Sequence, residues 1–401
     1  MEQSDRRYAA RRDWLILCGI QSFYWITMTL HSSFLVFYLN KCNYRTTTIA
    51  FITLAMTCVN LLAQPVWGYI ADALIGIRNA IMICLLGSIP TLLLLPSMVQ
   101  YVWLTVTLNL VYAIFNYPLQ GLTDSITNIA AERNRFVVYG FTRGCGSLNS
   151  ALASLLIGYV LNYTETSFLF VIEAGLLALA FFLISGYRNV EYGMGHVPEA
   201  NRKKSGIWPA VIKLVRNPVY LTILLSITLM NTGNRTTLFF IPILIDEYGG
   251  SNIHLGYSLF LNCLLMAPCM VLQSRMIRKG VKNHIPILLG GFFGVARVFL
   301  MYFARTLPVL VGLQILQSFA YGFLQPSTVT AAGDASSIEI RATAISLAIA
   351  VTTVFSTFIG QIGGSMLADH IGIYQTFIVS AALTFLGILC YLPIVIWDKR
   401  S

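Results

Sequence analysis

Charged residues are scarce in this chain. Asp, Glu, Lys and Arg make up only 10% of its 401 residues, whereas hydrophobic residues make up 57%. A typical soluble domain contains about 25% charged residues, so the composition excludes an ordinary soluble protein and predicts a membrane protein with many spans. The formal net charge of +10 does not indicate nucleic-acid binding, because the basic residues cluster in short segments between apolar runs, as they do in cytoplasmic loops.

Motifs that would support enzymatic chemistry are also missing. No GxxxxGK[ST] loop occurs, which excludes direct use of ATP through a phosphate-binding loop of that type. The cysteines have neither CxxC nor Cys/His spacing, so we expect packing thiols and no metal site or disulfide. Because no nucleophile–base spacing appears either, we predict a protein that is not an enzyme and needs no cofactor.

Apolar runs long enough to cross a bilayer, about 20 residues, recur along the whole sequence. There are twelve, at approximately 14–39, 47–71, 79–97, 101–129, 139–161, 167–186, 218–244, 255–274, 285–303, 308–331, 342–367 and 373–396. A long basic loop, 187–216, separates the sixth run from the seventh. The sequence therefore predicts an all-α membrane protein of twelve transmembrane helices in two six-helix bundles, 1–186 and 217–401, joined by a central cytoplasmic loop.

The distribution of Lys and Arg predicts the orientation of these spans. With a cytoplasmic N-terminus, three of the 26 basic residues would lie in outside loops: Lys41, Arg45 and Arg305. Three more fall within spans: Arg143, Arg235 and Arg297. All others lie in segments that would be inside. By the positive-inside rule both termini are therefore cytoplasmic, and the basic central loop is expected to contact anionic lipid.

The two halves of the chain resemble each other at one place. Span 2 ends with Pro65 followed about a dozen residues later by Gly76-Ile-Arg78, and span 8 ends with Pro268 followed by Gly280-Val-Lys282. Each motif lies at the predicted cytoplasmic end of the second span of its half. Parallel repeats of this kind are typical of transporters with a binding site near the bilayer midplane.

Ionisable residues inside the spans are the first candidate functional residues. Asp124 on span 4 and Arg143 on span 5 each lie where an unpaired charge costs at least about 2.5–3.5 kcal/mol. They are either ligands of something that passes through the membrane or a structural ion pair between two helices.

The second half carries its own polar groups. One face of span 10 is polar at helical spacing: Gln314, Gln317, Tyr321 and Gln325. This face either lines a central cavity or forms hydrogen bonds between helices. On span 7, Asn234 adjoins Arg235, which either meets Asp124 across the halves or binds an anionic group of a ligand.

Three further residues have two interpretations each. His31 on span 1 is either a neutral, hydrogen-bonded histidine or a cavity ligand and proton carrier. Glu173 on span 6 is either a proton site, since burial disfavours the charged carboxylate, or a group that reaches the outer surface or pairs with a neighbouring helix. Arg297 on span 9 is either the structural partner of Glu173 or part of the cavity wall.

Two motifs carry a resemblance to a known family. The segment Gly68-Tyr-Ile-Ala-Asp72-Ala-Leu-Ile-Gly76-Ile-Arg78 resembles the loop 2–3 signature of the major facilitator superfamily, which implies a gating role for Gly68, Asp72, Gly76 and Arg78. The segment Tyr139-Gly140-Phe-Thr-Arg143-Gly-Cys-Gly146-Ser147 resembles span 5 of the lactose-permease-like branch of oligosaccharide and nucleoside:proton symporters. Asp124 and Arg297 are similar to charged positions of that branch.

Span 10 departs from that branch. The resemblance implies a His and then a proton-accepting Glu, but the matching positions are Gln317 and Ala320. The candidates for proton coupling are therefore Asp124 and Glu173. A cavity with more arginines than acids would favour an anionic or amphoteric solute beside a sugar or nucleoside.

The resemblance implies a secondary active transporter that moves a small polar solute, such as a sugar, nucleoside or organic acid, by proton-coupled alternating access. We expect a monomer in a bacterial cytoplasmic membrane, with lipid but no nucleic acid as a further partner. The expected substrate ligands are Asp124, Arg143, Arg235, Asn234, His31, Gln317, Gln314 and Arg297. Two alternatives are an efflux pump for drugs or metabolites, whose cavity would be more apolar, and a non-transporting membrane sensor, whose loops would be longer.

Overall fold

Helices account for all the regular structure in the described part of the chain. The computed structural model describes residues 2–133, 137, 139–187, 212–337 and 340–398, and no β-strand occurs among them. Within these ranges, the structure does not describe the side chains of residues 2–10, 72, 132–133, 139–141, 143, 341–343 and 397–398. The predicted all-α class is confirmed for the described residues.

The first of two compact units consists of Met1–Tyr44 and Ala55–Glu199. Its helices are α1 (Glu2–Lys41), the larger part of α2 (Thr46–Ile70), α3 (Ile77–Met98), α4 (Val102–Asn116), α5 (Leu119–Arg133), α6 (Tyr139–Tyr163) and α7 (Phe168–Ser185). A π-helical turn, Ala71–Ile75, extends α2. Helix α1 packs against α5, α6 and α7, and α3 packs against α4 and α7.

The second unit consists of Arg45–Leu54 and Ala200–Ser401. Its helices include α8 (Pro218–Glu247), α9 (Asn252–Leu264), α10 (Met266–Arg278), α11 (His284–Met301), α12 (Leu307–Gly312), α13 (Ile315–Asp334), α14 (Arg341–Thr357), α15 (Gly364–Ile371) and α16 (Ile373–Asp398). A π-helical segment, Phe358–Gly363, joins α14 to α15. Helix α8 packs against α14 and α16, and α11 packs against α13 and α16.

Proline explains two of the helix breaks. Pro118 has no N–H to continue the hydrogen bonding of α4, and α5 begins at the next residue. Pro268 likewise leaves the carbonyl of Leu264, the last residue of α9, without its helical donor. The Ser318 hydroxyl of α13 stabilises this second break. It accepts a hydrogen bond from the N–H of Leu265 at 3.2 Å. It also lies within hydrogen-bonding distance of two carbonyl oxygens of α9, those of Leu261 at 2.9 Å and Asn262 at 2.8 Å.

The glycine of the repeated Gly-x-Arg/Lys motif has a positive φ in both units. Gly76 precedes α3 with a φ of +81°, and Gly280 precedes α11 with a φ of +84°. Side chains rarely adopt such positive φ values, so glycine is the residue that fits both turns. The sequence echo between the two halves therefore includes a glycine of similar φ in each turn.

Ten helical segments are long and apolar enough to cross a membrane, judged on the described residues alone. The predicted spans 14–39 and 218–244 are not among the ten, although they form the continuous helices α1 and α8. Large apolar side chains on other helices face outward: Leu62, Leu156 and Phe182 are 71%, 68% and 69% exposed. An exposed apolar surface of this kind suits contact with lipid.

Candidate functional site

Arg297 lies at the centre of a polar cluster inside the second unit. Its side chain is only 1% exposed. One guanidinium nitrogen donates to Oδ1 of Asn234 at 2.8 Å and to Oε1 of Gln317 at 2.7 Å, and the other donates to Oε1 of Gln314. Three amide oxygens, from α8, from α13 and from the residue that precedes α13, thus surround one buried cation on α11.

The cluster contains no acid within the described part of the chain. Glu173 pairs with His31, and the hydrogen bonds of Arg297 go to the three amides. The alternative that Arg297 is the structural partner of Glu173 is therefore wrong. A buried cation without a counter-ion is unfavourable, so the amide dipoles are the groups that stabilise it here.

The first unit contains a buried histidine–glutamate pair. Nδ1 of His31 on α1 lies 3.0 Å from Oε2 of Glu173 on α7. The residues are 1% and 0% exposed. Glu173 thus pairs with a neighbouring helix, and because the partner can also carry a proton, the interpretation of Glu173 as a proton site stays a prediction.

Aromatic rings and further polar atoms surround this pair. The His31 ring stacks on Tyr112 of α4 at 4.2 Å between centroids, and its edge faces Phe170. Nε2 of His31, Oε1 of Glu173 and the Tyr112 hydroxyl are buried without a hydrogen-bond partner among the described residues, as are both amide atoms of Asn116. Buried polar atoms without partners are rare in proteins, and their concentration here marks this interior as a candidate functional region.

Asp124 belongs to a separate network between α5 and α1. Its Oδ1 accepts from Nε2 of Gln21 at 2.9 Å, and Oε1 of Gln21 accepts from the indole N–H of Trp25 at 3.2 Å. Asp124 has a further interaction beyond these contacts. Arg235 also interacts with another group. The side chain of Arg143, the expected partner of Asp124, lies outside the described residues, so that ion pair stays a prediction.

Arg78 of the proposed gating motif binds the end of α7. Its Nε donates to the carbonyl of Ile184 at 3.1 Å and an NH2 group donates to the carbonyl of Ser185 at 2.6 Å. The last carbonyls of a helix lack intrahelical donors and carry partial negative charge, so an arginine fits there. Gly76 has a positive φ and forms the turn that precedes Arg78. No heavy atom would lie within 4 Å of a Cβ added at Gly68. The structure does not describe the side chain of Asp72.

Comparison with known families settles the class of the protein. The sequence model of the MFS_1 like family matches residues 15–379, which is most of the chain. The chain belongs to this family.

This major facilitator transporter also has a bacterial relative. It is 22% identical over 334 residues to the uncharacterized transporter YwbF of Bacillus subtilis (strain 168), an alignment that covers 82% of this chain and 80% of the relative. The predictions that this protein is a transporter and not an enzyme are thus confirmed. The prediction that it is a membrane protein with several spans is confirmed as well.

Solved transporter structures share its fold. A point mutant of the nucleoside transporter NupG superimposes with a TM-score of 0.79 at 14% identity and covers 96% of this chain and 99% of its own. A bacterial homologue of the human lysosomal transporter Spinster gives 0.74 at 12% identity over 96% of both chains. A POT family transporter in complex with a thioalcohol-conjugated peptide gives 0.75 at 12% identity over 97% and 96%. At these identities the comparison establishes the fold of the transporter alone.

Three relationships in this transporter were not predicted from the sequence. They are the pairing of His31 with Glu173, the hydrogen bonds of Arg297 to the amides, and the contact of Gln21 with Asp124. A signal for Gln21 was available, because it lies four residues before Trp25 on span 1, one helical turn away on the same face.

Proposed function

We propose that this protein moves a small polar solute across the membrane by alternating access of two six-helix bundles, with proton movement coupled to solute movement. The observation that carries the proposal is the buried cluster of Arg297 with Asn234, Gln314 and Gln317. Ionisable groups within membrane segments are costly and mark transport pathways by default. A sugar, a nucleoside and an organic acid all have polar groups that such side chains bind.

The polarity of two predicted spans supports the alternating-access arrangement. Spans 14–39 and 218–244 form α1 and α8 but are not among the ten helical segments that are long and apolar enough to cross a membrane. They are the first spans of the two predicted halves. Twelve spans with both termini cytoplasmic, arranged as two repeats, would place these polar helices at equivalent positions, as expected for helices that line a solute path.

The His31–Glu173 pair supports the proton-coupling part of the proposal. A histidine and a glutamate that share one proton have no net charge, whereas gaining or losing a proton leaves a charge in a low-dielectric interior. The pair is sealed from solvent, at 1% and 0% exposure. Proton exchange therefore requires a conformational change that admits water to the first unit, and this requirement would link proton transfer to the transport cycle.

Transport in proteoliposomes tests both parts. Radiolabelled uridine, D-glucose and D-glucuronate serve as probes under an imposed inward proton gradient. We expect at least one probe to accumulate above its external concentration, and an ionophore that collapses the gradient to abolish the accumulation. Absence of flux for all three probes would contradict transport of a small polar solute. Flux that does not depend on the proton gradient would contradict proton coupling but not solute transport.

Substitution of Glu173 tests whether the His31–Glu173 pair couples proton movement to solute movement. Glu173→Gln preserves the size of the side chain and a hydrogen-bonding group for His31, but it cannot release a proton. We expect this variant to exchange internal for external probe at near wild-type rates and to lose gradient-driven accumulation. Glu165→Gln is the matched control, since Glu165 is exposed in the segment between α6 and α7. Accumulation by Glu173→Gln equal to that of the control would remove the pair from the mechanism.

A further inference from the structure

Arg297 fixes the orientation of two amide groups. A guanidinium group has donors and no acceptor, so the groups that face it at 2.8 and 2.7 Å are the oxygens of Asn234 and Gln317. Their NH2 groups therefore point away from Arg297. Gln314 is different, because its nitrogen already donates to the carbonyl of Leu310 at 2.8 Å.

The two remaining amide nitrogens have unused hydrogen-bonding capacity. Within the described part of the chain, neither the Asn234 nitrogen nor the Gln317 nitrogen makes a hydrogen bond. Neither is among the fully buried atoms without partners, so both retain contact with solvent, although the Gln317 residue as a whole is only 6% exposed. Two donors thus keep contact with solvent, and the oxygens of the same two amide groups accept from one nitrogen of the buried Arg297.

The charge of this arrangement is not balanced by an acid. Arg297 has no carboxylate partner among the described residues, and a buried charge is stabilised when an opposite charge approaches it. A cation approaching the two NH2 groups would meet donors and a like charge. An anionic oxygen would meet two N–H donors and an opposite charge, which is the stronger kind of hydrogen bonding.

We propose that Asn234 and Gln317 form a donor-only subsite that binds an oxyanion, a carboxylate or phosphate group, of the transported solute. The inference rests on the proposed transport function and specifies its substrate class as acidic. Arg297 is a positioning residue: it holds both amides with their donors outward and contributes the charge, but at 1% exposure it does not itself contact the solute.

Binding to the purified full-length protein tests the subsite without any need for flux. Three pairs of probes are compared, and in each pair the two molecules share a carbon skeleton but only one carries an oxyanion. The pairs are D-glucuronate and D-glucose, uridine 5′-monophosphate and uridine, and succinate and 1,4-butanediol. The first two pairs distinguish a carboxylate from a phosphate. We expect the acidic member of at least one pair to raise the apparent melting temperature and to bind roughly tenfold or more tightly than its neutral partner.

Gln317→Glu separates recognition from structural support. The new carboxylate would pair with Arg297, so the fold should be retained, but it removes one donor and cancels the positive charge. We expect the preference for the oxyanion to fall by roughly tenfold or more, with an unchanged or higher melting temperature of the ligand-free protein. Gln120→Glu on α5 adds the same charge at a residue that is not part of the cluster and should keep the preference.

The result that overturns the subsite is an equal response to the acidic and neutral members of every pair, whether both bind or neither does. An oxyanion preference that survives in Gln317→Glu would overturn it as well. If a neutral probe binds and is transported while no oxyanion binds, the transport function stands and the acidic substrate class falls. If no probe shows flux but the oxyanion preference depends on Gln317, the subsite stands and transport fails, so the two proposals are distinguishable.

Discussion

Nδ1 of His31 lies 3.0 Å from Oε2 of Glu173, and both side chains are sealed inside the first unit. Removing one partner from such a pair leaves an uncompensated polar or charged group in the interior. Replacing both partners with apolar residues of similar size leaves none. The contribution of the pair to stability is thus separate from its role in proton transfer. Melting curves measure the first, and gradient-driven accumulation of a probe measures the second.

The first prediction concerns the stability of the pair. His31→Leu and Glu173→Leu should each destabilise the protein by about 3–5 kcal/mol, the usual effect of breaking a buried pair. The double variant should lose much less than the sum of the two single losses. Melting curves of the purified proteins in one detergent measure the three differences, with His370→Leu, an exposed position, as the control. Additive losses would contradict a direct interaction between the two side chains.

Hydropathy was sufficient to predict much of the helical structure. The predicted run 167–186 is α7, Phe168–Ser185, and the predicted run 285–303 is α11, His284–Met301. This signal is local, because an apolar helix needs only its own length and composition to be recognised. The helix breaks after Asn116 and Leu264 are not in the predicted spans, although Pro118 and Pro268 indicate where hydrogen bonding must stop.

The partners inside the candidate sites could not be predicted in the same way. His31 and Glu173 are 142 residues apart, and Arg297 and Asn234 are 63 apart. Which of these side chains meet depends on the packing and rotation of whole helices against each other, and composition carries no information on either. The sequence could therefore identify Arg297, Asn234, Gln314 and Gln317 as candidates but could not show that the amide oxygens face the guanidinium.

A second prediction concerns Asp124. Its carboxylate accepts from Gln21 at 2.9 Å, and an asparagine at this position retains an oxygen that accepts the same hydrogen bond. Asp124→Asn should therefore insert and fold, but it loses the negative charge that we assign to solute or proton binding. We expect flux in proteoliposomes to be abolished while the amount of purified protein stays near that of the wild type.

The control for Asp124 is Asp13→Asn, which also removes an acid from the first unit; Asp13 pairs with its neighbour Arg12 at 3.5 Å. Flux in Asp124→Asn equal to that of this control would show that Asp124 is structural.

A third prediction concerns the turn between α2 and α3. Gly76 has φ +81° and ψ 151°, a region of backbone conformation that is essentially restricted to glycine and costs other residues about 1–3 kcal/mol. Gly76→Ala should lower the melting temperature accordingly. Gly68→Ala is the matched control, because Gly68 lies inside α2 and no heavy atom would lie within 4 Å of an added Cβ. There alanine should be neutral or stabilising by up to about 1 kcal/mol. Equal effects of the two substitutions would contradict a conformational requirement at Gly76.

The last prediction concerns the contact between Arg78 and the end of α7. Two nitrogens of one guanidinium donate to the carbonyls of Ile184 and Ser185 at 3.1 and 2.6 Å. Methionine has a similar length but no donor, so Arg78→Met should leave both carbonyls without this partner and destabilise the last turn of α7 by about 1–3 kcal/mol. Lysine supplies a single ammonium in place of the planar fork, so Arg78→Lys should have an intermediate effect. Hydrogen exchange of backbone amides measures the loss directly, and we expect faster exchange at the end of α7 with no change in α6. Unchanged exchange in Arg78→Met would show that Arg78 does not hold the end of this helix, and its place in the gating motif would then need another explanation.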